Sequence, residues 1–94
     1  MATFLMVGKY SSRALQEMSI QRTDKVVDLV KQFGGQVEAM YATLGQQDLL
    51  LVLSLPGTPE AMKASVALTK LTGISFNTMP AVTVQDFDKL MSEI

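Results

Sequence analysis

The spacing of hydrophobic and polar positions predicts a strand and a broken helix in the first third of the chain. The apolar run Thr3–Gly8 ends at a glycine, and its length is typical of a buried strand. Either Ser11 or Ser12 can cap the helix that follows, because a serine hydroxyl accepts a hydrogen bond from the free N–H groups of the first turn. The pattern is irregular over residues 18–23, where the helix is expected to break, and it then becomes a stripe that ends at Gly34-Gly35. The stripe consists of Val26, Leu29, Val30 and Phe33, spaced i, i+3, i+4, i+7.

The middle of the chain predicts two strands joined by a short connection. The first strand covers Gln36–Leu44, and the second is the continuous apolar run Leu49–Ser54, which ends before Pro56. Between them lies Gly45–Asp48, a segment that begins with glycine. Such a four-residue connection is typical of a β-hairpin, so the two strands are expected to be antiparallel neighbours.

Two helices and one strand are predicted in the last third of the chain. Thr58 caps the first helix, with Pro59 at its first position, and Gly73 ends it. The strand that follows contains Pro80, which has no N–H for a sheet ladder, so this strand is expected at an edge. Thr83 then caps a terminal helix. The apolar face of that helix consists of Val84, Phe87, Leu90, Met91 and Ile94.

The order of these elements predicts an α+β protein: a ferredoxin-like βαββαβ sandwich with an extra C-terminal helix. This fold has a four-stranded antiparallel sheet with both helices of the repeat on one face. Its first and third strands are central, and these are also the two most apolar strands of the sequence. With 94 residues, the chain is expected to form a single domain over residues 1–94.

The third strand is apolar on both faces, which raises the question of what covers the second face. Leu49, Leu51 and Leu53 point one way, whereas Leu50 and Val52 point the other. The two long helices cover a single face, and monomers seldom expose a large apolar patch that is not used. We therefore expect a second copy, packed sheet against sheet, with the terminal helix at the rim or reaching onto the partner. The alternative is the terminal helix of the same chain, folded across the sheet.

Composition and charge narrow the partners and the chemistry. Hydrophobic residues make up 48% of the chain, an excess that favours burial between subunits. The 8 basic and 9 acidic residues give a net charge of -1, so neither nucleic acid nor an anionic membrane is an expected partner. Without cysteine the chain has no thiol nucleophile and no thiolate metal site, and without histidine it lacks the commonest general base. Neither a metal nor a cofactor is predicted. The N-terminus has no basic region before its apolar run, so a cytoplasmic location is expected.

The stretch of residues 34–61 resembles the GYD-domain family of small bacterial and archaeal proteins. The hallmark of that family is Leu-Gly-x-Tyr-Asp between the second and third strands. Leu44, Gly45 and Asp48 match it, and Gln47 occupies the position of the tyrosine. The resemblance implies a ferredoxin-like fold that is often assembled as a dimeric α/β barrel. Because the family is largely uncharacterised in function, the resemblance implies no defined activity.

Asp48 and Tyr41 are candidate ligand-binding residues in the predicted hairpin. The Asp48 carboxylate lies at a strand entrance, where it can accept a proton or bind a polar ligand. The alternative, which we prefer, is that it bonds loop amides and fixes the hairpin. Strict alternation places Tyr41 on one face with Val37 and Ala39, where its phenol could orient a ligand. The preferred alternative is a core tyrosine with its hydroxyl at the edge.

Lys9, Tyr10 and Arg13 form a second group of candidate ligand-binding residues, after the first strand. An ammonium, a phenol and a guanidinium together could hold an anionic group, and ordinary surface solvation explains them equally well. No catalytic residue is predicted, because a serine without a histidine has no plausible activator.

The leading functional hypothesis is a homo-oligomeric assembly protein or a small-molecule-binding protein with a small apolar or anionic ligand. The alternative is a cofactor-free enzyme, oxygenase- or isomerase-like, with a pocket in each half of the barrel, which is an analogy at the level of the fold. Whether the protein is an enzyme is left open. A pocket lined by both Tyr10 and Tyr41 would favour the enzyme, and a filled core would favour assembly.

Overall fold

The computed structural model describes all 94 residues, Met1–Ile94, as four strands and four helices. In chain order the elements are β1 (Ala2–Tyr10), α1 (Ser12–Gln16), α2 (Ile20–Gln32), β2 (Gln36–Ala42), β3 (Leu49–Leu55), α3 (Thr58–Thr72), β4 (Ile74–Ala81) and α4 (Val84–Met91). The strands form one sheet in the order β2-β3-β1-β4, and each neighbouring pair is antiparallel. The predicted arrangement is confirmed, with β1 and β3 at the centre and β4 at an edge.

One face of the sheet carries α2 and α3, and the core lies between these helices and the strands. Burying one large aliphatic side chain contributes roughly 1.5–3 kcal/mol, so a cluster of such side chains is sufficient to hold the two layers together. The buried cluster consists of Phe4 and Met6 from β1, Leu51, Leu53 and Leu55 from β3, Val26 and Val30 from α2, and Ala61, Ala64 and Leu68 from α3.

Serine and threonine side chains begin three of the four helices. Ser11 Oγ accepts a hydrogen bond from the Ala14 N–H at 3.0 Å, so Ser11 is the cap and Ser12 is not. Thr83 Oγ1 accepts one from the Asp86 N–H at 3.1 Å, as predicted. Ser19 caps α2 in the same way. This cap restarts the helix after α1, so the expected break occurs at the start of the irregular segment.

The predicted cap of α3 is wrong. Gly57 holds the N-cap position and has no side chain that could accept a hydrogen bond, so Thr58 is already helical. Pro59 therefore lies one residue further into the first turn than predicted, where its missing N–H is still tolerated. At the other end, Gly73 stops the helix with a φ of 75°, as predicted.

A β-bulge at Glu38 changes which side chains of β2 share a face. Val37 and Ala39 pair with consecutive residues of β3, so Glu38 is an extra residue in the ladder. The predicted strict alternation is therefore wrong. Val37 packs against the core, whereas Ala39 and Tyr41 lie on the opposite face of the sheet.

The connection between β2 and β3 is longer than predicted and covers residues 43–48, because β2 ends two residues early. The Thr43 N–H donates to the Asp48 carbonyl at 2.9 Å, and the Thr43 hydroxyl donates to the Gln47 carbonyl at 2.7 Å. The first bond continues the β2–β3 register one position beyond the Ala42–Leu49 pair, and the second helps to close the loop. Gly45 has a φ of 128°, which agrees with its expected role as a turn residue.

Candidate functional site

The face of the sheet opposite α2 and α3, which we call the open face, has an apolar centre. In the ladder Leu5 pairs with Val52, and Val7 pairs with Leu50, so four apolar side chains lie side by side on the two central strands. Each of them stays partly exposed, whereas the intervening Leu51 is fully buried on the other face. The predicted two-sided apolar character of β3 is therefore confirmed.

The dimensions of the molecule show that α4 does not lie across the open face. The thinnest dimension is 18 Å. Because packed layers of secondary structure are about 10 Å apart, this thickness accommodates the sheet and one helix layer, without a second helix layer. The structure thus differs from the alternative in which the terminal helix covers its own sheet.

Instead, α4 begins just beyond the end of the sheet, where Ala81 pairs with Thr3, and it does not pack against any other element. The longest dimension of the molecule is 48 Å. The nine residues of β1 span about 30 Å, and residues 84–94 add about 16 Å if helical, which together reach almost the observed length. No large apolar side chain of α4 or of the last residue is buried, and each is at least 42% exposed: Val84, Phe87, Leu90, Met91 and Ile94.

At one end of the sheet, Asp48 ties the hairpin to β1. Its Oδ2 accepts a hydrogen bond from the Tyr10 N–H at 2.9 Å and lies 3.7 Å from Lys9 Nζ. The Asp48 N–H also donates to the Gly8 carbonyl at 2.9 Å. The prediction that this carboxylate bonds amides within the loop is wrong, because its amide partner is at the end of the neighbouring strand. The contact extends the β1–β3 pairing beyond the last regular pair.

The structure divides the five candidate ligand-binding residues between two sides of the sheet. Consecutive residues of a strand point to opposite faces, so Lys9 lies on the open face, near the end that also carries Tyr41. Tyr10 lies on the helix side, with the Arg22 guanidinium carbon 5.6 Å from its ring centroid. Arg13 is also outside the open face, because its guanidinium lies against the backbone of Gly73.

Tyr10 and Tyr41 therefore do not line one pocket. A pocket lined by both would have favoured the enzyme hypothesis. Arg22, which is not among the predicted site residues, stacks on Tyr10 and donates from Nη1 to the Ala14 carbonyl. Only the fold brings these groups together, and neither periodicity nor spacing identifies the pair. At exposed sites such a cation–π contact contributes about 0.5–1 kcal/mol.

The opposite end of the open face carries a second polar group, built on the bulge. Glu38 Oε1 accepts hydrogen bonds from Gln36 Nε2 at 2.5 Å and from Ser54 Oγ at 2.9 Å. These two bonds, the first being the larger influence, hold the pKa of Glu38 below its ordinary value. The open face thus has an apolar centre and a charged, hydrogen-bonded group near each end.

The outer surface of the helix layer has two cavities on either side of Met62 and Val66. The first, of about 450 Å³, is lined by Phe33, Met62, Lys63, Val66, Ala67 and Lys70, and we call it the α3 groove. The second, of about 300 Å³, lies between α3 and β4. Its polar feature is the Thr78 hydroxyl, which donates to Ser65 Oγ at 2.9 Å.

Two further observations concern metal binding and membrane insertion. No group of three or more His, Cys, Asp or Glu side chains is positioned to hold a metal ion. None of the helices has the length and apolar character needed to cross a membrane.

The fold and these surfaces define a two-layer α+β sandwich with the strand order of ferredoxin-like proteins and one uncovered sheet face. The family model of the GYD domain matches residues 4–91, nearly the whole chain. The protein belongs to the GYD-domain family, and the resemblance inferred from the hairpin is confirmed. No curated protein is significantly similar to the chain.

Proposed function

We propose that this protein is a homo-oligomeric assembly domain in which two copies pack their open faces together as a dimeric α/β barrel. One observation carries the proposal: the apolar centre of the open face stays partly exposed, and no helix of its own chain packs over it. This centre consists of Leu5, Val7, Leu50 and Val52. A second copy presents the same surface, so one two-fold contact covers both centres at once.

The size of the face supports this assembly. Four strands spaced by ~4.8 Å and seven residues of ~3.3 Å each give a flat area on the order of 400 Å². The apolar centre lies on two of the four strands and so takes up about half of that area on each copy. Covering both centres contributes roughly 10 kcal/mol at ~25 cal/mol per Å² of apolar surface. Association itself costs about 4–15 kcal/mol, so the sheet supports a dimer that gains from any further contact at its rim.

A small ligand fits the same proposal. Packing two open faces together brings the Lys9–Asp48 end and the Glu38 end of each copy to the mouths of the barrel, around an apolar interior. This arrangement suits a small apolar or anionic molecule, with Lys9 and Tyr41 as the residues that would meet its polar group. Native mass spectrometry of protein from its own source, scanned for a retained small molecule, tests the ligand directly.

Sedimentation velocity of the wild type and of Leu50→Lys at micromolar concentration tests the assembly. We expect the wild type to be at least a dimer and Leu50→Lys to lose the dimer that forms through the open face, since a charge replaces a central contact. Ile20→Lys is the matched control, because Ile20 is apolar and 78% exposed but lies on α2, away from the open face. A wild-type protein that stays at 10.2 kDa at every concentration would refute the proposal.

The remaining hypotheses stay predictions. A cofactor-free enzyme remains the alternative function, and the cytoplasm remains the expected location.

A further inference from the structure

The apolar stripe of α4 has the spacing of a helix that docks into a groove. Phe87, Leu90, Met91 and Ile94 stand at i, i+3, i+4 and i+7, the pattern of anchor residues in helix-in-groove recognition. The eight-residue helix is too short to be stable in water by itself. Because each of these side chains is at least 42% exposed, the helix lacks the packing that would stabilise it.

The α3 groove offers an apolar floor of matching type on the helix layer. Met62 and Val66 are one helical turn apart on the outer side of α3, and they are 66% and 58% exposed. Phe33 and Ala67 complete the floor of this shallow and open depression of about 450 Å³. These side chains lie outside the core cluster or at its margin, so the fold itself does not require their apolar character.

The charges on the two surfaces are complementary. The terminal helix and its last turn carry Asp86, Asp88 and Glu93 against the single Lys89, which is a local net charge of -2. The groove is flanked by Lys63 and Lys70 and has no acidic side chain in its lining. Opposite charges around an apolar contact favour one orientation and speed the encounter.

We propose that α4 docks in the α3 groove of another copy of this chain. The helix projects along the long axis and does not lie on its own helix layer, so the occupant of the groove comes from a second copy. The groove and the open face are on opposite sides of the molecule. The contact therefore joins copies that are not paired through their open faces, and it gives the chain a second surface for self-association. Head-to-tail contacts of this type close into a ring when the rotation permits.

Disulfide cross-linking tests the contact. Because the chain has no cysteine, only the introduced residues can form disulfides. We expect the double variant Met91→Cys with Val66→Cys to form disulfides between chains under mild oxidation and to give a ladder of covalent multimers. The control variant Met91→Cys with Ile20→Cys has an exposed partner outside the groove and should stay uncross-linked. Efficient cross-linking of Met91→Cys with Leu50→Cys instead would place α4 on the open face and overturn the proposal.

Charge reversal gives a second measurement that does not depend on cysteine chemistry. Lys63→Glu with Lys70→Glu should weaken assembly beyond the dimer at least tenfold in sedimentation equilibrium, because both lysines would now repel the acidic helix. Adding Asp86→Lys with Asp88→Lys should restore it. An unchanged association constant in the first variant would contradict the proposal.

The two experiments separate this contact from the sheet-to-sheet dimer. Leu50→Lys should abolish pairing through the open face while the disulfide between Met91→Cys and Val66→Cys still forms. If the open-face dimer is intact but that disulfide does not form, the docking of α4 is refuted and the proposed function is unaffected.

Discussion

The two faces of β3 have nearly the same residues and very different surroundings. Leu51 and Leu53 are fully buried against α2 and α3. Leu50 and Val52 alternate with them along the same strand but remain partly exposed. The hydrophobic pattern shows that both faces of the strand are apolar. Only the topology shows that the helices of the chain cover one of them and leave the other without a helix layer. A strand of this kind therefore carries information about a partner as well as about the fold.

The polar groups of the two faces also differ. On the covered side the buried Thr72 hydroxyl donates to the Leu68 carbonyl at 2.7 Å, and its oxygen accepts from the Ile74 N–H at 3.1 Å, so the group is fully satisfied within the chain. On the open side Lys9 and Glu38 are exposed charges near the two ends of the face. Neutral, hydrogen-bonded groups are typical of a buried core. Exposed charges at the rim are compatible with a surface that binds a partner.

The largest effect that would sharpen this comparison comes from truncating neighbouring leucines on the two faces. Leu51→Ala should lower the free energy of unfolding by about 2–5 kcal/mol, since it leaves a cavity in a closed core. Leu50→Ala should cost the isolated chain less than about 1.5 kcal/mol, in line with its partial exposure, and should mainly weaken association. Urea unfolding at low and high protein concentration measures both. Equal, concentration-independent losses would show that the two faces are equally closed.

A smaller effect is expected at the end of the sheet, where Asp48 joins the hairpin to β1. Asp48→Ala removes the acceptor of the Tyr10 N–H and should lower the free energy of unfolding by about 1 kcal/mol, the usual scale for one hydrogen bond. Asp48→Asn is the control, because an amide oxygen can still accept that hydrogen bond. Thermal unfolding distinguishes them, and identical midpoints for wild type and Asp48→Ala would contradict a structural role.

The smallest effect concerns Glu38 and depends on pH. Its lowered pKa means that the hydrogen bonds from Gln36 and Ser54 favour the charged carboxylate. They stabilise the fold above the ordinary glutamate value, and this contribution is lost as pH falls through the lowered value. The melting temperature of the wild type should therefore exceed that of Glu38→Gln slightly at pH 7, and the difference should vanish below the lowered pKa. A difference that persists in acid would mean that the carboxylate acts through packing.

Much of the fold could be predicted because the hydrophobic spacing and the turn residues point to the same arrangement. Strand order and the central position of β1 and β3 follow from the order of the elements, and the cap at Thr83 follows from local chemistry, whereas only the structure decides between Ser11 and Ser12. The bulge at Glu38 could not be predicted, because β2 mixes polar and apolar residues and an extra position leaves no mark in such a pattern. That one residue moved Tyr41 away from the face of Val37.

The candidate site was predicted less well than the fold, because its contacts link distant parts of the chain. The Asp48 carboxylate meets an amide 38 residues away. Lys9 and Tyr10, adjacent in sequence, lie on opposite sides of the sheet for the simple reason that a strand alternates. The sequence does contain a signal for the α3 groove: Met62 and Val66 are apolar residues one turn apart, and neither belongs to the buried side of α3, which carries Ala61, Ala64 and Leu68.

The bulge at Glu38 has a consequence for the solubility of the protein. β2 and β4 are the edges of the sheet, and an unprotected edge is a template on which further chains can add strands without limit. The bulge interrupts the regular pleat of one edge, and Pro80 removes a backbone donor from the strand at the other. Copies of a chain with an exposed apolar face associate readily with one another. The two interruptions disfavour the addition of strands at the sheet edges, and so fibril growth, but they do not prevent face-to-face pairing.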